Sequence, residues 1–503
     1  MTAVETEGRR PAKTGPAVEA NGINVIDEAE RKGRPAHLFW PWCASNISVL
    51  AVSYGAFVLS FGIGLAQSLV AVVVGVVVSF LLVGLVSIAG KRGSAPTLVL
   101  SRAAFGRYGN TLPSVVSYLL LVGWETVLVS LATLATATVF GRLGAGGGNL
   151  TKIIAFLVVA GVIVLAGILG FDAIMRIQKW LTIAMIVVTA IYIALTVQHV
   201  DMGAVSAAKP GTLTATIGAG ILVMTGFGIG WVNSAADYSR YLPRRASTTG
   251  VVWWPTFGGS LPVVVLVVFG VLLCASDPTL AKAITNDPIG ALTTILPTWF
   301  LVPFALVAIA GLVSGAILDI YSSGLTLLTI GLPTPRWVAA GIDGVLMIVG
   351  TIYIVWFADS FLLTFEAFLI ILGVPMAAWC GVFLADLTLR RRDYHEPSLY
   401  DAGGRYGAAR WSAVLTMVVG MAVGWGLVID TTGAGTGLGW LGFLLGPPGL
   451  GGRQGAWAYA NLGVPVALLV GFLGYLVLGW AGVRRQEGST TTITERRPAS
   501  AAL

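Results

Sequence analysis

The chain of 503 residues is too apolar to be a water-soluble globular protein. Hydrophobic residues make up 56% of it, charged residues make up 11%, and its mean hydropathy is +0.86. Because an average soluble domain is about 25% charged, this composition predicts an integral membrane protein. The formal net charge of +7 then requires no nucleic-acid partner, since basic residues are common in the cytoplasmic loops of membrane proteins.

Apolar segments of membrane-spanning length recur along the chain. About 20 residues are needed for one crossing, and residues 38–90 contain no Lys, Arg, Asp, Glu or His. That segment has room for helices 1 and 2, separated by a turn near residues 61–64. Charged residues and Gly/Pro breaks delimit ten further helices. They are predicted at residues 112–140, 153–171, 178–197, 213–236, 252–275, 300–330, 337–358, 361–389, 411–430 and 460–483.

These long continuous apolar runs favour an all-α membrane protein of twelve transmembrane helices. A β-barrel is disfavoured, because its strands alternate in polarity over about ten residues. With the N-terminus inside, all but five of the 30 Lys and Arg residues fall in cytoplasmic segments. We therefore expect a multi-pass protein of the cytoplasmic membrane with both termini cytoplasmic.

The two ends of the chain are predicted to be disordered cytoplasmic tails. Residues 1–33 and 486–503 are polar, and segments of that composition bury too little apolar surface to fold. The first apolar segment begins too late for a cleavable signal peptide. The three cysteines lie in apolar spans without metal-type spacing, so we expect neither a metal centre nor a disulfide. They are Cys43, Cys274 and Cys380.

Helix lengths predict an internal repeat. Residues 34–197 hold five helices and residues 213–389 hold five more, while residues 411–483 add helices 11 and 12. Because each repeat has an odd number of crossings, the second repeat is inverted relative to the first. Inverted repeats place substrate and ions near the membrane midplane, where the first helix of each repeat is interrupted.

Helices 1 and 6 carry residues that favour such interruptions. Helix 1 has a polar cluster inside its apolar run, and helix 6 has three glycines around one aromatic residue. Glycine also permits close packing of membrane helices, but the matched position in both repeats favours a break. The residues are Ser45, Asn46 and Ser48 in helix 1 and Gly226, Phe227, Gly228 and Gly230 in helix 6.

Glu125 is the only charged residue in the predicted helix 112–140, and it directly follows Trp124. A carboxylate at mid-membrane costs on the order of 2.5–3.5 kcal/mol on insertion scales and often marks a substrate or ion pathway. A planar heterocycle would fit an aromatic side chain beside a hydrogen-bonding group. Neighbouring helical residues diverge by about 100°, so Glu125 is alternatively a structural carboxylate between helices.

Six segments carry a family resemblance in the order in which they occur. They are FWPWCASNISVLAVSYGAFVLSFGIG in helix 1, SRAAFGRYG between helices 2 and 3, VGWETVLV in helix 3, SAADYSRYLPR at the end of helix 6, GLVSGAILDIYSSGL in helix 8 and GVFLADLTLRRRDY in helix 10. Together they resemble the purine-cytosine permease branch of nucleobase:cation symporter family 1, over residues 35–480. The resemblance implies a leucine-transporter-type fold of two inverted five-helix repeats plus two C-terminal helices.

The resemblance also implies cation-driven import of a nucleobase, such as cytosine or a purine, or of a related heterocycle. In the family, a helix 3 Trp and a helix 6 aromatic residue sandwich the ring, and they correspond to Trp124 and Phe227. Relatives carry a Gln where this chain has Leu121, so we expect Glu125 to supply the missing polar contact. The residues expected at the substrate site are Trp124, Glu125, Phe227, Gly226, Gly228, Leu121 and Asn46.

A coupling cation, H⁺ or Na⁺, is the only cofactor that the resemblance implies. In relatives, sodium lies between helix 1 carbonyls and helix 8 hydroxyls, and hard cations favour such oxygen ligands. Here Gly315 replaces one of the two hydroxyls, which leaves protons as an alternative. The predicted coupling residues are Ser45, Asn46, Ser314, Gly315 and Asp319. Other membrane carboxylates that could carry a proton are Glu125, Asp343 and Glu366.

Asp237 and Arg240 end helix 6 on the predicted cytoplasmic side. Two roles remain open for them, an inner gate that breaks during transport or a static cap. Among substrates, allantoin, hydantoins, pyrimidine vitamins and nucleosides are alternatives to nucleobases.

Other functional classes lack their signatures in this sequence. An ion channel would show a selectivity filter or an arginine-repeat voltage helix, and an enzyme would show a catalytic or metal-binding motif. An amino-acid carrier would need a group that binds an α-carboxylate, which an acidic cavity disfavours. No obligate protein partner is evident.

Overall fold

The computed structural model describes the chain in five segments, and within them all regular secondary structure is helical. The described residues are 21–169, 171–357, 361–430, 438–446 and 449–488. Ten of the described helices are long and apolar enough to cross a membrane, and a bent pair of shorter helices forms an eleventh candidate span. A further apolar helix of 16 residues completes the set.

These twelve elements, α1–α12, lie at the twelve predicted positions. They are α1 Pro35–Asn46 with Val49–Leu59, α2 Leu65–Gly93, α3 Thr111–Arg142, α4 Asn149–Ile168, α5 Gln178–His199, α6 Leu213–Ser239, α7 Thr248–Ser276, α8 Thr298–Ile330, α9 Trp337–Trp356, α10 Ala367–Leu389, α11 Trp411–Gly426 and α12 Gly463–Gly488. Apolar length and charge therefore predicted the positions and order of these elements correctly.

Corresponding helices of the two predicted repeats pack against each other. α2 lies along α7, and α3 lies along α8. The first helix of the chain, α1, crosses α7 at glycines, because a Cβ on Gly55 would lie 2.1 Å from the carbonyl carbon of Gly270. Such close backbone approach is typical of small residues in membrane helix packing.

α1 is broken at Ile47 and Ser48, and its two halves bend by 65°. Ile47 has φ −79° and ψ 82°, and Ser48 has φ −131° and ψ 141°, so neither residue continues the helix. The hydroxyl of Ser48 accepts a hydrogen bond from the backbone N–H of Leu50 at 3.3 Å and caps the second half. The predicted interruption of helix 1 is confirmed, within two residues of Asn46.

α6 changes its winding instead of bending sharply. After the α-helix Leu213–Met224 it makes a π-helical turn at Thr225–Ile229 and a 3₁₀ turn at Val232–Ser234. The predicted glycines allow neighbouring helices to approach, since a Cβ on Gly226 would lie 2.2 Å from the Tyr54 hydroxyl oxygen. The irregularity predicted for helix 6 is present, but the helix is not split in two. π-helical turns occur frequently at functional sites.

α11 is shorter than the predicted helix 411–430 because later residues bind its end. The backbone N–H groups of Gly442 and Leu444 donate to the carbonyl oxygens of Trp425 and Gly426 at 3.0 and 2.9 Å. These bonds satisfy carbonyls that a longer helix would have used internally.

Residues 21–33, predicted to be disordered, pack across one end of the helix bundle. The N–H of Ile26 donates to the carbonyl of Ser94 at 2.9 Å, and the N–H of Lys32 donates to that of Tyr241 at 2.8 Å. The side chain of Ile26 is buried, so the segment gains both apolar burial and backbone hydrogen bonds. We call this end of the bundle the N-terminal face.

The outer parts of both predicted tails, residues 1–20 and 489–503, lie outside the described residues. The same is true of the side chain of Glu366, directly before α10, although its backbone is helical. The fold thus brings two features together for the site: the break in α1 and the irregular winding of α6. Both lie in the interior of the bundle.

Candidate functional site

A cavity of about 40 Å³ lies at the break in α1, where α1, α3, α6 and α8 meet. Residues on both sides of the break line it, together with aromatic side chains from α3 and α6 and one carboxylate from α8. The lining residues used below are Ser45, Asn46, Tyr54, Trp124, Leu128, Gly226, Phe227, Trp231 and Asp319.

Larger depressions lie elsewhere on the protein surface. One of them, of about 620 Å³, lies between the end of α1, at Ser60 and Phe61, and the loop around Tyr459. It reaches inward along α6 to Leu222, five residues before Phe227. The smaller cavity, in contrast, lies at the α1 break and is lined by residues with unpartnered polar groups.

Trp124 and Phe227, predicted as a pair, both line the small cavity. The ring of Phe227 packs on Tyr54 with centroids 4.5 Å apart, and the ring of Trp124 meets the edge of Phe365 at 5.3 Å. Sequence reasoning missed Trp231, which follows Phe227 by four residues and lines the same cavity. Aromatic surface thus bounds the cavity on two sides.

The polar groups of the cavity include a donor and an acceptor without partners. The indole N–H of Trp124 and Oδ2 of Asp319 are both buried and form no hydrogen bond with the described residues. A Cβ on Gly230 would lie only 3.0 Å from Trp124 Nε1, so the glycine leaves space beside that donor. Buried polar groups are usually paired, and a polar ligand in the cavity would pair these two.

Asn46 also lines the cavity, as predicted, but its amide nitrogen is engaged within α1. It donates to the Trp42 carbonyl at 2.7 Å and to the Ser45 hydroxyl at 3.0 Å. These bonds fix the side chain beside the break.

Glu125 lies outside the cavity lining. It is completely buried, and its Oε1 accepts a hydrogen bond of 2.8 Å from the hydroxyl of Ser323 in α8. The rotation of about 100° per helical residue turns it away from the face that carries Trp124. The polar contact expected from Glu125 is therefore offered to the cavity by Asp319.

Leu121 and Gly228, two further predicted substrate contacts, also lie outside the lining. Leu121 is fully buried, and the α3 residue beside Trp124 in the cavity is Leu128, one turn later. Gly228 faces α2, where its N–H donates to the Ser79 hydroxyl at 3.3 Å. Both positions lie on neighbouring helix faces that pack against other helices.

Ser314, predicted to bind the coupling cation, is paired with Gln178 of α5. Its hydroxyl donates to Gln178 Oε1 at 2.5 Å, and Gln178 Nε2 donates to the Ser314 carbonyl at 3.0 Å. A Cβ on Gly315 would lie 3.8 Å from the Ser45 carbonyl oxygen, so Gly315 faces α1 as expected but adds no oxygen. An amide thus satisfies the helix 8 hydroxyl that was expected to bind a cation.

The predicted gate residues bind different groups on the N-terminal face. Asp237 accepts hydrogen bonds from the N–H and hydroxyl of Thr97 at 2.7 and 2.8 Å. Arg240 donates to the carbonyl of Gly22 at 2.8 Å and to the hydroxyl of Tyr321 at 2.9 Å. Asp237 thereby caps the start of the short helix Thr97–Phe105, where a negative charge is favourable. The hydrogen bonds of both residues join separate segments of this face.

Arg102 of that short helix joins further segments of the N-terminal face. Its guanidinium donates to the carbonyls of Leu399 at 3.2 Å and Thr329 at 2.9 Å. Burial lowers the pKa of Arg102 to about 10, so the group remains a cation at neutral pH. It therefore links the end of α8 to the segment between α10 and α11.

Comparison with known sequences gives a family match across most of the chain. Residues 25–446 match the sequence model of a family described as permease for cytosine/purines, uracil, thiamine, allantoin. The putative purine-cytosine permease YxlA of Bacillus subtilis (strain 168) is 23% identical over 411 residues, 80% of this chain and 86% of the relative. The purine-cytosine permease FCY2 of Saccharomyces cerevisiae is 23% identical over 431 residues, 81% of this chain and 78% of the relative.

Solved structures share the fold. Mhp1, a nucleobase-cation-symport-1 family transporter in a closed conformation with bromovinylhydantoin bound, gives a TM-score of 0.67 at 18% identity, covering 94% of this chain and 100% of Mhp1. A Na⁺-coupled sialic acid symporter gives 0.59 at 10% identity, with 91% of each chain covered. The predicted leucine-transporter-type fold is therefore confirmed.

Proposed function

We propose that this chain, which belongs to the family of permeases for cytosine/purines, uracil, thiamine and allantoin, imports a nucleobase or related heterocycle by symport with a cation. Family and fold make it a multi-pass membrane transporter and not an enzyme. The observation that supports the substrate class is the cavity at the α1 break. There, the rings of Trp124 and Phe227 line a space whose other lining residues include Asp319, and Trp124 and Asp319 carry an unpartnered donor and an unpartnered acceptor.

A flat heterocycle suits these groups chemically. Its ring faces would pack on Trp124 and Phe227, since aromatic contacts favour offset-stacked or edge-to-face geometry. Its edge carries N–H donors and carbonyl or ring-nitrogen acceptors. Asp319 would accept from such an N–H, and the indole N–H of Trp124 would donate to an acceptor. The carboxylate of Asp319 disfavours anionic substrates.

Substrate binding requires the cavity to open. Its volume of about 40 Å³ is far below the roughly 300–1,000 Å³ of pockets for drug-sized ligands. On the N-terminal face, hydrogen bonds of Asp237 and Arg240 hold the segments together. On the opposite side, the surface depression reaches inward along α6 only to Leu222. This conformation is therefore occluded, and alternating access would proceed by movement of helices around the site.

The proposed direction of transport follows from the predicted orientation. Basic residues predict that the N-terminal face is cytoplasmic, so the depression at α6 would open to the outside. Substrate would enter past the edge of Phe365, which packs on Trp124, and leave past Asp237 and Arg240. The contacts of these two residues would have to break on the way, which corresponds to the inner-gate role.

Uptake into proteoliposomes tests the proposed function. Labelled cytosine, adenine, hypoxanthine, uracil and allantoin would be supplied under separate proton and sodium gradients. We expect saturable uptake of at least one compound, and a roughly 5- to 150-fold higher KM in Trp124→Ala, because base stacking on an aromatic ring is worth about 1–3 kcal/mol.

Trp480→Ala is the matched control for that experiment. Trp480 lies on α12 and is 52% exposed, so its loss leaves the cavity intact and uptake should be unchanged. Absence of saturable uptake for every heterocycle would reject the substrate class. Equal effects of the two tryptophan substitutions would reject the location of the site.

A further inference from the structure

Two buried carboxylates that the cavity does not use share one serine hydroxyl. Glu125 of α3 and Asp343 of α9 are both completely buried. Ser323 of α8 is hydrogen-bonded through its hydroxyl to Glu125 Oε1 at 2.8 Å and also to Asp343 Oδ2. Three helices thus bring together two acidic groups that lie far apart in sequence.

The three oxygen atoms of this arrangement have a place for one additional proton. A serine hydroxyl has a single hydrogen to donate, so it can donate to only one of the two carboxylates. The contact with the other carboxyl group is a hydrogen bond only if that group is protonated and donates to the serine oxygen. Neither Glu125 nor Asp343 forms an ion pair with a basic group in the described part of the chain, and two unpaired buried charges would be costly.

A tyrosine hydroxyl beside the pair provides an independent observation. Tyr118 of α3 is only 8% exposed, and its hydroxyl lies beside the carboxyl group of Asp343. That hydroxyl forms no well-aligned hydrogen bond with the described residues, and neither do Glu125 Oε2 and Asp343 Oδ1. A hydroxyl donor therefore lies close enough to stabilise the negative charge that appears when the pair loses its proton.

Asp319 connects the pair to the cavity. It precedes Ser323 by four residues on α8, so the two side chains lie on one face of the helix. Its Oδ2 is unpartnered at the cavity. The titratable groups facing the pair are thus Tyr118 and Asp319. The titratable residue of α4, which also packs here, is Lys152 at the start of that helix, where it lines a surface depression with Asp287. The side chain of Glu366, directly before α10, lies outside the described residues.

The residues between α1 and α8 favour a proton over sodium. Ser314 already exchanges two hydrogen bonds with Gln178, and Gly315 offers no hydroxyl. The two helix 8 hydroxyls expected to bind a hard cation are therefore engaged or missing, whereas carboxyl groups that can exchange a proton are present.

Resting on the proposed symport function, we propose that the coupling ion is a proton stored on the Glu125–Asp343 pair and exchanged with the substrate cavity through Asp319. When the pair releases its proton, Asp319 accepts it and passes it to the cavity, while Ser323 and Tyr118 donate to the carboxylates that remain. Loading reverses these transfers. Substrate and proton thereby meet at Asp319, which would couple their movements.

Proteoliposomes containing the full chain can separate coupling from transport. Counterflow exchange of a labelled substrate requires no net proton movement, whereas accumulation under an imposed pH gradient does. The variants are Glu125→Gln and Asp343→Asn, which keep size and hydrogen bonding but cannot titrate. Asp401→Asn, an exposed loop carboxylate, is the matched control, and a trapped pH-sensitive dye reports substrate-induced proton flux.

We expect Glu125→Gln and Asp343→Asn to retain exchange within about threefold while their accumulation falls at least tenfold and their proton flux disappears. Asp401→Asn should behave like the unmodified protein. Normal accumulation in both variants, accumulation driven by a sodium gradient alone, or loss of exchange together with accumulation would each overturn the proposal. If instead the unmodified protein exchanges no heterocycle, the transport function itself fails, which is a distinguishable result.

Discussion

Replacing Gly230 by Ala tests whether the indole N–H of Trp124 binds the substrate. A Cβ on Gly230 would lie 3.0 Å from Nε1 and 3.6 Å from Cε2 of Trp124, so it would cover the donor or displace the ring. Loss of one hydrogen bond costs about 0.5–1.5 kcal/mol, which corresponds to a rise in KM of roughly 2- to 13-fold. We expect that rise in Gly230→Ala, measured by uptake into proteoliposomes.

The control and a double-mutant cycle make this prediction specific. A Cβ added to Gly161 of α4 would have no other atom within 4 Å, so Gly161→Ala should leave KM unchanged. Trp124→Phe keeps an aromatic ring but removes the N–H. If the N–H is the target, Gly230→Ala should add little to the KM of Trp124→Phe, because interacting substitutions are not additive. An unchanged KM in Gly230→Ala, or fully additive effects, would refute the reasoning.

Three further predictions concern other parts of the structure. Gln178→Ala should lower the free energy of unfolding by about 1–3 kcal/mol, because it leaves the buried Ser314 hydroxyl unpaired. Adding sodium should not restore the melting temperature of this variant in detergent. Restoration by sodium would indicate a cation site at Ser314. Gly270→Ala should lower the melting temperature strongly, because the added Cβ would lie 1.9 Å from a backbone oxygen of α1. Such overpacking costs about 1–3 kcal/mol or more. An unchanged melting temperature would contradict the close α1–α7 crossing. Asp237→Asn should speed hydrogen exchange in the helix beginning at Thr97, because the charged cap is lost; unchanged protection would show that Asp237 does not hold that helix.

Apolar length predicted the helices because each must cross the same hydrocarbon thickness. The break in α1 was also predictable, since polar residues such as Asn46 rarely interrupt an apolar span without a local role. Trp124 and Phe227 could be paired through the family resemblance, and the structure places both at one cavity. Local composition and the family resemblance therefore predict most of the fold and the aromatic part of the site.

Side-chain direction and long-range pairing could not be predicted from the sequence. Glu125 follows Trp124 directly, but helix rotation sends it to Ser323, 198 residues later. The pairing of Ser314 with Gln178 joins residues 136 positions apart, and no periodicity signals it. The ordering of residues 21–33 likewise depends on backbone acceptors supplied by distant loops. Tertiary packing determines all three features.

The position of a bound heterocycle tests the central claim most directly. A cryo-EM map of the purified protein with a transported heterocycle would show where its ring lies. The account predicts density beside the α1 break, with the ring packed against Trp124 and its edge within hydrogen-bonding distance of Asp319. A ring bound elsewhere, for example in the surface depression beside Tyr459, would contradict it.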